Sequence, residues 1–226
     1  RPMYFDVNGQ SYLNERAIAT QQTGFWIVCQ SRGWVPEELK GILWFGTDDA
    51  ATSCLTPIYT SISSVPECVK VGNGDIMHYS PTSLFWVTNR LSQFAYLLYD
   101  RVQPEIKTVY DRIENGCIEQ VKEIDSEAIR LLGDKPTPKS RKAAIEYITK
   151  YSDTTAQNLL KTWQEMDNYL LVKYMDGNIK IQNPDGTFKN NGHCESICEF
   201  PEQPGYSDKW KETVVRDNGL ILHVNE

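Results

Sequence analysis

From position 81 to position 176 apolar residues return at steps of three and four, and nothing else in the chain limits its fold so strongly. Leu84, Val87, Leu91, Phe94, Ala95, Leu98 and Val102 form one stripe, which Ile106, Val109, Tyr110, Ile113, Cys117, Val121 and Ile124 continue. Side chains three and four apart share a helix face, so each stripe has to be buried against another element. Ser80 reads as an N-cap with Pro81 in the first helical position, and Pro104 as a bend or restart. Thr137 and Pro138 repeat the cap-plus-proline opening. The stretch from Ala143 onward is helical again, with a break expected near Ser152 and Asp153 and an end at Gly177. The expectation is an antiparallel helical layer whose stripes serve core packing.

Before this layer the period is two. Phe25, Ile27 and Cys29 alternate with Trp26, Val28 and Gln30, which predicts a strand with both faces largely covered. "GWVPEELKG" is a turn-rich connection, and "ILWF" is a second strand placed to pair with the first as a hairpin. "TPIYTSISSVPECVKVGNGD" reads as a long surface excursion. After 177 come turns, a short helix near 207–216 and a strand-like "GLILHV". The expected organisation is strands and a long loop over 1–80, helices over 81–176 and a turn-rich segment over 177–226. With 40% hydrophobic residues, the chain can bury a sizeable core.

Asp and Glu number 30 against 23 Lys and Arg, and a net charge of -7 without a basic run disfavours nucleic acid as a partner. No apolar run reaches the roughly 20 residues of a membrane helix, so no membrane span is expected. The chain opens at Arg1 without an initiator Met or signal core, which suggests a piece of something longer. Six cysteines fit an oxidising compartment, secreted or periplasmic, without requiring one.

Complete catalytic sets are missing. His78, His193 and His223 sit in no recognisable motif. Cys29 falls in an apolar strand pattern and is expected to be a buried, inert thiol. His193, Cys194 and Cys198 form the most metal-like stretch, but a second ligand pair at matching spacing is lacking, so no structural metal is expected. Asp48 and Asp49 follow a strand end. They could serve acid–base work or bind an amine, and the plainer reading is a pair of turn residues.

The order of the phrases carries more than any of them alone. It runs "ERAIATQQTGFWIVCQSRGWVPEELKGILWFGTDDAATSCLTPIYTSISSVPECVKVG", then "SPTSLFWVTNRLSQFAYLLYDRVQPEIKTVYD", then "GYSDKWKETVVRDNG". This resembles the C-terminal half of the PepD-like dipeptidases, cysteine peptidases of the N-terminal-nucleophile hydrolase superfamily. The resemblance implies an α+β fold, here the C-terminal half of a four-layer αββα sandwich with antiparallel sheets. It also implies hydrolysis of dipeptides by a Cys at the mature N-terminus, whose own α-amine is the base. This chain begins with Arg1, so the expected nucleophile lies upstream, no residue here inherits that role, and the chain alone is expected to be inactive.

Phe45, Thr47 and Thr52 are candidates to line a substrate pocket. Arg16 is a candidate to bind a substrate carboxylate, or else a strand-edge Arg in solvent. The implied partners are the upstream half of the same enzyme and a dipeptide, with no cofactor and with a homo-oligomer as a further option. Phe25, Trp26, Ile42 and Trp44 are expected near the surface that the missing half covers. Two other readings remain open: an amidase or acylase of the same superfamily, and a non-enzymatic sheet-and-helix module for protein contacts.

Overall fold

The computed structural model describes residues 4–13, 17–189 and 201–224. The chain divides into two compact units, Arg1–Asp167 and Asn168–Glu226. It is an α+β protein with two small antiparallel sheets. Among the described residues no helix is long and apolar enough to cross a membrane.

The first unit opens with a two-stranded hairpin, β1 (Tyr4–Val7) and β2 (Gln10–Leu13). The second sheet has the order β3 (Phe25–Ser31), β4 (Gly41–Thr47), β5 (Thr56–Tyr59), with β4 in the middle. The predicted hairpin is present, with Phe25 opposite Thr47 and Cys29 opposite Leu43. The supposed surface excursion begins with a buried strand instead. Thr56–Tyr59 pairs with β4, Pro57 lying opposite Trp44. Proline is tolerated there because β5 is an edge strand, whose outward positions need no N–H.

Alternation along the strands gives the sheet two unlike faces. Ile42 and Tyr59 face one way and pack with Leu39, Val121, Ala128 and Ile148 in a core cluster, Trp44 resting against it. Val121 and Ala128 lie on α2 (Tyr99–Leu132), and Ile148 on α3 (Pro138–Tyr174). The opposite face carries Phe25, Ile27, Cys29, Leu43 and Phe45. It is poorly covered, Phe25 remaining 63% and Ile27 44% exposed. Three expectations are thereby corrected. β3 is exposed along most of its length, because it is an edge strand that the helices do not reach. Cys29 is exposed, not buried. Ile42 and Trp44 belong to the helix-packed face, leaving Phe25 on the open one.

The helices keep the predicted stripe but not the predicted joints. α1 spans Leu84–Leu97, with Ser83 at its N-cap position. Ser80 is occupied elsewhere: its hydroxyl donates to Asn73 Oδ1 at 2.6 Å. The break before α2 falls at Leu98, with φ −149° and ψ 65°, and Pro104 lies within α2. A proline ring crowds the carbonyl four residues back, so the chain yields upstream of it. Ser152 and Asp153 do not break α3; Ser152 is buried and its hydroxyl accepts the Tyr59 N–H at 3.3 Å. Thr137 caps α3 as expected, its Oγ1 accepting from the Ser140 N–H at 3.2 Å.

In the second unit, short bridges pair Ile179 with Glu202 and Gln182 with Phe188. Asp208–Asn218 form α4, capped by the Ser207 hydroxyl. The strand-like "GLILHV" is a 3-10 turn over Gly219–Leu222 instead, because Gly219 turns the chain with φ 58°.

Candidate functional site

At the end of β4 the chain enters a loop whose polar side chains turn inward. Thr47, Asp48, Asp49, Thr52 and Ser53 are all buried. The polar side of α1 meets them. Thr47 Oγ1 donates to Thr88 Oγ1 at 3.2 Å, Asn89 Nδ2 donates to Asp48 Oδ1 at 3.0 Å, and the Thr52 and Ser92 hydroxyls lie 2.6 Å apart. Tyr96 donates to Asp49 Oδ2 at 2.6 Å, and Asp49 Oδ1 accepts the Ala51 N–H at 2.9 Å. Two further bonds extend the seam to α2: Gln103 Nε2 to Ala51 O at 3.1 Å, and the Leu55 N–H to Glu114 Oε1 at 2.8 Å. Buried polar groups are tolerated when paired in this way.

The two acids are therefore more than a solvated turn. Asp49 is fully bonded, whereas Asp48 sits in the left-handed region, with φ 66°, and its Oδ2 is buried without a hydrogen-bond partner. Burial raises the Asp48 carboxyl above its ordinary range, against the pull of the Ser92 and Asn89 side chains.

Above the seam, on the open side of the sheet, lies a cavity of about 370 Å³. Phe25 and Phe45 form one wall, their rings stacked with centroids 5.9 Å apart. Thr47 lies at its base, and Phe85 and Trp86 from α1 close another side. Residues 68–76 form the rim. A tight turn holds that rim: the Asp75 and His78 backbones bond reciprocally at 3.1 Å. The Trp86 indole N–H is shared between the carbonyls of Asp75 (3.1 Å) and His78 (3.0 Å). Gly74 permits this approach. It has φ +77°, and a Cβ there would come within 3.0 Å of His78 O. His78 Nδ1 lies 2.8 Å from both carboxylate oxygens of Asp75, and this contact lowers the Asp75 pKa.

The candidates named from sequence are thus distributed unevenly. Phe45 and Thr47 line the cavity. Thr52 is buried in the seam, bonded to Ser92, and is not among the cavity-lining residues. Arg16 lies outside the described residues, as do His193, Cys194 and Cys198. Among the described residues no group of three or more His, Cys, Asp and Glu is placed to hold a metal ion. Lys70, Asp75, Phe85 and Trp86 were missed by sequence reasoning. The Gly72 and Gly74 turns, both with positive φ, were the signal that this stretch folds back on itself.

Residues 4–112 match the family model of peptidase family C69. This chain is related to that family. The relationship supports a cysteine-peptidase function in general. The span related to C69 contains the five described strands, α1, the polar seam apart from Glu114, and every residue lining the cavity. No curated protein matches the chain.

Proposed function

We propose that this chain supplies the substrate-binding wall and scaffold of a dipeptidase. Its nucleophile is a Cys at the mature N-terminus, contributed from upstream of the present residues. The observation that carries the reading is the cavity at the end of β4: it opens on the uncovered face of the sheet and lies within the span related to peptidase family C69. The thiols described here support an outside nucleophile. Cys54, Cys68 and Cys117 are buried, and desolvation pushes Cys68 and Cys117 up to about 11 and Cys54 higher still. Such thiols hold almost no thiolate near neutral pH. Cys29 is exposed, but the groove it lines contains Arg32, Lys122 and Asp125 and no His to act as its base.

In the proposed reaction the N-terminal Cys gives its thiol proton to its own α-amine, and sulfur attacks the peptide carbonyl carbon. The C–N bond breaks, the proton passes to the leaving amine, and water hydrolyses the thioester. The open sheet face, with Phe25 and Ile27 exposed, is read as the seat of a partner sheet from the upstream half. The test is release of free amino acids from a panel of unblocked dipeptides by the complete gene product. Turnover abolished by a thiol-alkylating agent is expected. Absence of turnover across the panel overturns the reading.

A further inference from the structure

The cavity has features that a general peptide site does not need. Its interior is walled by the aromatic rings of Phe25, Phe45, Phe85 and Trp86, while its rim carries one cation, Lys70, and one anion, Asp75. An apolar cavity of about 150 Å³ is already enough to take benzene. At about 370 Å³ this one has room for an aromatic side chain and part of the main chain beside it. Offset and edge-on ring contacts favour an aromatic guest over an aliphatic one of equal size.

The rim charges suit a ligand with a charge at each end. The Asp75 carboxylate already accepts the Met77 N–H at 2.8 Å and faces His78 Nδ1, which fixes its direction and leaves acceptor sites free. Among the described residues Lys70 is tied only to the exposed Glu67, at 3.3 Å. An unblocked dipeptide carries an ammonium and a carboxylate a few bonds apart, whereas blocking removes one or both charges and a longer peptide sets them further apart.

We propose that this cavity is a specificity pocket for unblocked dipeptides with an aromatic N-terminal residue. The ring enters between Phe45 and Phe85, the α-ammonium meets Asp75, and the carboxylate is drawn to Lys70. The assignment rests on the dipeptidase reading and specifies its substrate class.

Calorimetric titration of the complete gene product, its upstream Cys replaced by Ala to stop turnover, with Phe-Ala, Ala-Ala and N-acetyl-Phe-Ala-amide tests it. Phe-Ala is expected to bind at least about tenfold more tightly than either of the others, the gain from burying one ring. Phe85→Ala should bring Phe-Ala down to the level of Ala-Ala. Gly24→Phe is a second probe, because a Cβ at this cavity-lining position meets nothing within 4 Å and so should be accommodated. It too should erase the preference. Asp75→Asn should weaken both dipeptides and keep their ratio. Equal affinities, or a preference that survives both Phe85→Ala and Gly24→Phe, overturn the assignment. Turnover of dipeptides by the complete gene product with no preference for Phe-Ala overturns the pocket and keeps the dipeptidase. Preferential binding without any turnover supports the pocket and removes the dipeptidase.

Discussion

Substituting Arg32 tests how the sheet is fastened to its helices. Its guanidinium donates to both carboxylate oxygens of Asp125 on α2, at 3.2 Å to Oδ1, and to the carbonyl of Leu39. Tyr59 on β5 donates to the same Asp125 Oδ1 at 2.7 Å, and the Arg32 guanidinium lies 5.6 Å from the Tyr59 ring centre. The two charged side chains are only 4% and 14% exposed. Arg32→Met leaves Asp125 with the Tyr59 hydroxyl and little water. Breaking a buried pair costs about 3–5 kcal/mol, and the partial exposure of Asp125 places this case near about 3 kcal/mol. For a chain of this size that is a fall of roughly 6–12 °C in Tm. Tyr59→Phe, which removes one hydrogen bond to a charge, should cost about 1.5–3 kcal/mol. The double variant Arg32→Met, Asp125→Leu removes both charges and should recover most of the loss, because apolar packing then replaces the pair. Urea unfolding followed by far-UV circular dichroism measures all three. A loss below about 1 kcal/mol in Arg32→Met, or a double variant no better than the single, would refute the reasoning.

Asp48→Asn should alter how stability depends on pH. The folded Asp48 pKa is raised, so the native state holds this proton more tightly than the unfolded one. Its stabilising share is complete below the unfolded value near 3.8 and is lost as pH rises through the folded pKa. The variant should therefore be the more stable protein near neutral pH, with the difference vanishing in acid; urea midpoints across that range check it. Gly46→Ala should be strongly destabilising, since its Cβ would sit 2.5 Å from the Trp26 indole nitrogen, which itself donates to Ser53 at 2.5 Å. A change below about 0.5 kcal/mol in urea unfolding would contradict that packing. The open sheet face should make the isolated chain self-associate or bind a hydrophobic dye, and light scattering after gel filtration tells a clean monomer from that outcome.

The hairpin of β3 and β4 was legible because alternation of aromatic and β-branched residues has no helical reading. The helical stripe was legible for the same reason at a different period. The joints were not, because Ser80 and Ser152 look like ordinary caps and breaks until their partners, Asn73 and the Tyr59 backbone, are in place. The seam was hidden in α1 itself. Reading only its apolar stripe passed over Thr88, Asn89, Ser92 and Tyr96, which share the opposite role of receiving the loop after β4. Phe45 and Thr47 were found from the strand end they occupy. The rim at Lys70 and Asp75 depends on a fold-back that only the glycine turns announce.

In the proposed enzyme the reactive thiol lies outside these residues while the substrate wall lies within them. Mass-spectrometric mapping of the cysteine alkylated as dipeptide hydrolysis by the complete gene product is lost tests this directly. The expected result is modification of an N-terminal Cys upstream of Arg1, protection of that residue by Phe-Ala, and unchanged turnover after Cys29→Ala. Loss of activity that tracks alkylation of Cys29, or its disappearance in Cys29→Ala, would contradict it.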